Sequence, residues 1–260
     1  MQGVLIVDAV RTPFGGRNGA LSGWHPAELA ARCTAALLER TGLPGDEVDD
    51  LLLGCVTWAG AQSFNVARTA ALAAGLPLRT PGVTLDRQGA SGLSALALGA
   101  AAAAAGQLGV AVVGGVEVTS VAPPGASVGV GFGSPFPPAV ANRFHAEGGL
   151  VPPGPAAELL AASAGLSREA LDAYSLDSVQ RAARAQAEGR FVGQLVALGA
   201  RRRDPDTGEV REGPGPALDE GVAQSGGRDA AAFAAAKPLY PDGALVTALN
   251  AAPLADGAAA

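Results

Sequence analysis

Cysteine and histidine are scarce in this chain: its 260 residues hold two of each, Cys33, Cys55, His25 and His145. Two cysteines imply no disulfide framework, and no spacing of Cys, His, Asp or Glu fits a metal site. A phosphate-binding loop and a dinucleotide fingerprint are missing as well, because the glycines of VGVGFG (128–133) do not follow a strand that opens a helix. Basic residues are outnumbered, 18 Lys and Arg against 24 Asp and Glu, and the net charge of −6 argues against a nucleic acid or an anionic membrane as partner. It leaves room for a local basic site facing a phosphorylated ligand. Long hydrophobic runs are missing too; Leu93 to Ala105 is the longest and is too short to span a bilayer. The opening MQGVLIVDAVRTP has neither a basic n-region nor a cleavage site, so it reads as a strand, and the expected location is the cytoplasm.

Hydrophobic residues make up 48% of the chain, and its 37 Gly and 19 Pro fall between periodic segments, as in a globular protein of one or two domains. Val4 to Val7 reads as a short buried strand. Pro26 opens a helix through Arg40 with apolar Leu29, Cys33 and Leu37, ended by Gly42 and Pro44. A strand over 51–55, a helix over 65–74, a strand over 82–86, a helix over 92–105 and a strand over 110–115 follow, so strand and helix alternate and a parallel α/β sheet is expected. From Val118 the pattern breaks. Residues 121–155 are rich in Pro and Gly, then come helices over 156–164 and 168–188, a strand QLVAL (194–198) and the polar hairpin RRRDPDTGEV. The expected organisation is an α/β domain over 1–117, an inserted loop or cap region over 118–245, and a return toward the sheet over 246–260.

Several motifs resemble the thiolase family, in order along the whole chain: DAVRTPFGGRNGAL, AGAQSFNVARTAALAAGLP, VTLDRQGASGLSAL, VAVVGGVEVTS, the helices from Gly154 to Phe191, and ALVTALNAAPLADGAAA. The resemblance implies the family's N-terminal half, a mixed and mostly parallel sheet with flanking helices and an inserted loop domain, and the acetyl-CoA acyltransferase class. It also marks three departures. Where the family's C-x-S-G pattern keeps a nucleophilic cysteine at a helix N-terminus, this sequence has Gly89, with Ala90, Ser91 and Gly92 in register, so no catalytic residue is assigned. The G-H-P histidine and C-x-G cysteine of a second half are not found before Ala260, and the last strand of the first sheet is expected to be missing, leaving the VAVVGG edge unpaired. In the coenzyme A pocket, Ala252 stands for the family's serine after Asn250, Leu249 for a glycine, Pro153-Gly154 for Met-Gly, and Ala223 for an arginine that a two-residue shift would restore as Arg228.

The remaining reactive side chains have plainer readings. Ser91 is expected to cap the helix beginning at Gly92, Cys33 and Cys55 to fill core positions, and His25 to sit in a turn. His145, in a loop, is kept as a ligand contact, and Glu117 as buried support. Arg201–Arg203 are expected to pair with Asp204, Asp206 and Glu209. The acyl-CoA pocket implied by the resemblance comprises Gly89, Ala90, Ser91, Gly92, His145, Arg228, Asn250 and Ala252, with a coenzyme A thioester as ligand and no other cofactor. Four functions stay open: a non-acylating acyl-CoA binder, a subunit of a split enzyme whose partner chain supplies the second half, a structural protein, or a decayed fragment. A homo-oligomer or such a partner chain is expected, without nucleic acid or membrane.

Overall fold

The computed structural model describes residues 3–128, 133–145, 149–225 and 228–260. The chain forms two compact units, one comprising the residues up to Ser127 with Phe191–Gly221 and Leu254–Ala260, the other Val128–Arg190 with Val222–Pro253. Residues 191–221, expected within the inserted region, therefore belong to the first unit.

The strands of the first unit are β1 (Gly15–Gly16), β2 (Asp50–Gly54), β3 (Gly82–Leu85), β4 (Ala111–Val118), β5 (Ala200–Arg203), β6 (Val210–Gly213) and β7 (Ala255–Ala259). Five form one sheet in the order β1-β7-β4-β2-β3; β2 is parallel to both β3 and β4, while β7 is antiparallel to β4 and β1. β2 carries the centre of the core: Leu51 and Leu53 are fully buried, and each such side chain contributes roughly 1.5–3 kcal/mol. Its uninterrupted LLLG run is what a strand covered on both faces requires.

Three helices flank the sheet. α1 (Pro26–Thr41) starts where proline fixes the first φ and His25 Nδ1 accepts from Ala27 N–H, and it ends where Gly42 turns left-handed at φ 67°. α2 (Val66–Ala73) is capped by Asn65 Oδ1, which accepts from Arg68 N–H. α3 (Ser91–Ala104) packs on β2 and β4.

Val4 to Val7 is not a buried strand. Leu5, Ile6 and Val7 are 75–85% exposed. The first pairing comes later, where Val10 exchanges two hydrogen bonds with Ala260 (2.8 and 2.9 Å) and Thr12 N–H donates to Ala258. In that antiparallel register Asp8 and the described residues before it lie past Ala260 and meet no neighbouring strand among the described residues. β4 shows the same effect: Gly115–Val118 pair with β7, so DGAAA does form a strand, but Ala111–Val113 have no partner on that side among the described residues. QLVAL shrinks to a bridge of Leu195 to Arg11.

The hairpin β5–β6 forms as expected, but its arginines look elsewhere for partners. Arg201 pairs with Glu28 (2.7 Å) and Glu212 (3.1 Å) and lies 4.1 Å over the Trp24 ring; Arg202 pairs with Glu220. Asp204 instead accepts from the N–H groups of Asp206 and Thr207 and closes the turn. Arg11 lies between the Phe14 and Phe191 rings and holds Asp219 through both terminal nitrogens (2.7 and 3.0 Å).

The second unit is helical, with α4 (Pro138–Arg143), α5 (Pro153–Ser163) and α6 (Arg168–Ala187); α7 (Glu220–Ser225) runs into it, and α8 (Ala230–Ala235) follows. Ser167 caps α6 by accepting from Ala170 N–H, and Phe233 of α8 is buried. Among the described residues no helix is long and apolar enough to cross a membrane. VGVGFG falls partly outside the described residues.

Candidate active site

β3 ends at Leu85, and after five intervening residues the chain enters α3, so the turn Asp86–Ala90 stands at the carboxyl ends of the parallel strands, where open α/β sheets place their ligands. Asp86 accepts from Gln88 N–H (2.7 Å), and Gln88 adopts a left-handed φ of 50°. Ser91 is buried and is the first residue of α3 rather than its cap. Its hydroxyl donates to Gln88 O (2.6 Å) and accepts from Arg87 N–H (2.9 Å), so it ties the turn to the helix and has no role left as a nucleophile. Gly54 of β2 lets α3 come this close: a Cβ there would lie 2.4 Å from the backbone of Ser91 and Gly92. Gly89 is different. A Cβ on it meets no atom within 4 Å, and its φ lies outside the left-handed region, so the turn has room for a side chain.

Glu117 of β4 fastens the neighbouring loop. Its carboxylate accepts from Val56 N–H (2.8 Å), Thr57 N–H (3.2 Å) and the amide of Gln62 (2.7 Å). Gln62 is fully buried and also accepts from Val118 N–H. Such a satisfied network fixes the loop after β2 against β4. Burial pushes the Cys55 thiol up to about 12, and the Glu117 carboxylate adds to this; burial likewise raises Cys33 to about 12. Neither thiol is a nucleophile at neutral pH.

The other sequence-derived pocket residues lie in the second unit. His145 is exposed just after α4, and Arg228 is exposed before α8. Asn250 is not free to bind through its amide: Nδ2 donates to Asp172 Oδ1 and Leu245 O (2.8 Å each), and Oδ1 accepts from Thr247 N–H (2.7 Å). Ala252 is exposed beside it. Glu158 of α5 accepts from the N–H groups of Ala244, Leu245 and Val246; these bonds outweigh the effect of burial and hold its carboxyl below the usual range. Gly154 is needed where it stands, since a Cβ would overlap the Tyr240 ring. The structure thus gathers Gly89–Gly92 in one unit and Asn250 with Ala252 in the other. Among the described residues, no group of three His, Cys, Asp or Glu side chains could hold a metal ion.

The sequence matches the family described as thiolase, N-terminal domain, over residues 4–260. The chain belongs to the thiolase family. Similar proteins include a steroid 3-ketoacyl-CoA thiolase of Mycobacterium tuberculosis, 37% identical over 98% of this chain and 60% of that protein. An acetyl-CoA acetyltransferase of Pseudomonas aeruginosa is 39% identical over 100% of this chain and 65% of the relative, and a beta-ketoadipyl-CoA thiolase of the same organism is 38% identical over 99% and 64%. The chain therefore spans less than two thirds of the length of these thiolases.

Two residues of this thiolase domain that hold candidate residues in place escaped the motif reading: Gln62, which locks Glu117 to the loop after β2, and Asp172, which holds Asn250. Gln62 stands inside AGAQSFNVAR, where a buried amide near a buried acid was the available signal. Asp172 lies 78 positions from Asn250 and gave no local signal.

Proposed function

We propose that this thiolase N-terminal domain binds a coenzyme A thioester and, as a single chain, does not carry out ping-pong acyl transfer. One observation carries the reading: Gly89, in the turn where the family resemblance puts the nucleophile, has open space and no side chain, while both thiols of the chain are buried and held protonated. Covalent acyl transfer needs an activated nucleophile on a base. His25 is committed to capping α1. In the first unit the ligand contacts are read as Gly89–Gly92; in the second, His145, Arg228 and Ala252 are read as contacts, and Asn250 as a support of its own loop rather than a group that touches the ligand. Intact-mass measurement after incubation with acetyl-CoA tests this: the mass stays unchanged, whereas an adduct of about 42 Da, the acetyl group that covalent catalysis would leave, overturns it.

A second reading is favoured by the apolar surface of the first unit. Leu93 and Leu98 of α3 are 69% and 48% exposed, and Leu5 to Val7 are bare, a pattern that calls for further polypeptide, whether a continuation of the same chain or a second one, to complete an enzyme with acid–base chemistry on the bound thioester. Supplying a thiolase C-terminal half in trans tests it. Co-purification together with decarboxylation or carbon–carbon cleavage of an acyl-CoA supports the split enzyme, and a failure to associate refutes it.

A further inference from the structure

Asp172, 7% exposed, is the one buried residue along the twenty residues of α6, where a helix packed on its neighbours would be expected to bury apolar side chains. A buried carboxylate is costly unless its oxygens are matched. Both are matched here. Oδ2 accepts from Arg168 Nε one turn earlier (2.7 Å), and Oδ1 accepts from Asn250 Nδ2 (2.8 Å). Arg168 is occupied in turn, since its Nη2 donates to the carbonyls of Phe233 and Ala236 at the end of α8 (2.8 Å each). Asn250 spends the rest of its amide on its own loop, at Leu245 O and Thr247 N–H, and Thr247 O accepts from Ala251 N–H. From the other side Glu158 holds the N–H groups of residues 244–246.

The loop 244–251 is thus held by carboxylates from two helices, while Ala248 on it and Ala252 just after it remain exposed. An apolar residue at 172 would anchor α6 as well or better. What only an acceptor can do there is fix the rotation of the Asn250 amide and, through it, the backbone from Thr247 to Ala251. We propose that Asp172 is a positioning residue: it acts through Asn250 to hold the 247–252 loop in the shape that receives the coenzyme A thioester. The inference rests on the reading that this loop is part of the coenzyme A pocket.

The test titrates coenzyme A calorimetrically into the full chain and its variants, with hydrogen exchange read at the amides of 244–251. Asp172→Leu, which anchors α6 without an acceptor, and Asn250→Ala each weaken binding roughly tenfold, the effect of breaking one hydrogen bond to a charged group, and deprotect Thr247. In the double variant the two losses do not add, because Asp172 acts only through Asn250. Where Asp172→Leu fails to fold, Asp172→Ala takes its place in the same comparison. Unchanged affinity in the folded Asp172 variant overturns the proposal, as does deprotection of Thr247 without loss of affinity, or losses that add in the double variant. If the unaltered chain does not bind coenzyme A at all, the pocket reading itself has failed, and this is seen before any variant is made.

Discussion

Gly89→Cys puts the reading of the turn at risk. A Cβ at this position meets nothing within 4 Å and the backbone is not left-handed, so the side chain enters without a clash. Replacing glycine restricts the unfolded chain, which stabilises a compatible site by about 0.4–1 kcal/mol. The melting temperature is therefore expected to hold or to rise by a few degrees, about 2–4 °C per kcal/mol for a domain of this size. The introduced sulfur would stand two residues ahead of Ser91, the first residue of α3, where the free N–H groups of a helix start favour an anion by roughly 0.3–1 kcal/mol. At about 1.36 kcal/mol per pKa unit this lowers the thiol by roughly 0.2–0.7 from its ordinary 8.5. Ellman's reagent gives the first readout. In native buffer the unaltered chain releases nothing, because Cys33 and Cys55 are 0% and 1% exposed, while the variant releases one equivalent. The pH dependence of alkylation by iodoacetamide then gives the pKa. Rapid native labelling of the unaltered chain, a clear drop in melting temperature, or a new thiol titrating above its ordinary value would each refute the reasoning.

Two further outcomes follow from the same structure. Gly54→Ala should destabilise by about 3 kcal/mol, because its Cβ would sit 2.4 Å from backbone atoms of Ser91 and Gly92 that cannot step aside. Gly89→Ala, with an identical change in chemistry, should lower the urea midpoint not at all. Alkaline stability should follow the two buried thiols. Burial raises their folded-state pKa values to about 12, so the unfolded chain loses these protons first. Their contribution is intact below about pH 9 and is lost toward about pH 12, by about 1.4 kcal/mol per thiol per pH unit. Urea midpoints measured across that range should fall steeply, and the double replacement Cys33→Ala and Cys55→Ala should flatten the slope.

Helix boundaries were legible where the signal is local. Pro26 and Gly42 bracket α1 to within a residue, and Asn65 marks the start of α2, because the residues that stop and start a helix act on their immediate neighbours. Val4–Val7 shows the limit: its composition suits a strand, but a strand exists only where a partner lies in register, and the register is set by Val10 and Thr12 against Ala260 and Ala258. Ser91 has a capping residue's chemistry yet stands one position inside the helix, since the left-handed Gln88 lets the turn close around its hydroxyl. The turn at Gly89 was readable from its pattern. Asn250 was not, because a motif marks a position and is silent on whether the amide faces a ligand or an aspartate far away in sequence.

The placement of β7 has a bearing on how the first unit comes to fold. This strand lies inside the sheet, between β1 and β4, yet its residues are made long after theirs: Thr119 beside it is 136 positions from Ala255, and the bond from Ala258 to Thr12 spans 246. During synthesis the parallel strands β2, β3 and β4 can assemble with their helices while the edge of β4 waits open, and the sheet can close only after residues 255–259 have left the ribosome. Closure at such sequence separation is slow, and an open apolar edge invites pairing with other chains in the meantime. The nascent chain is therefore most exposed to aggregation during the interval in which the whole helical unit is being synthesised.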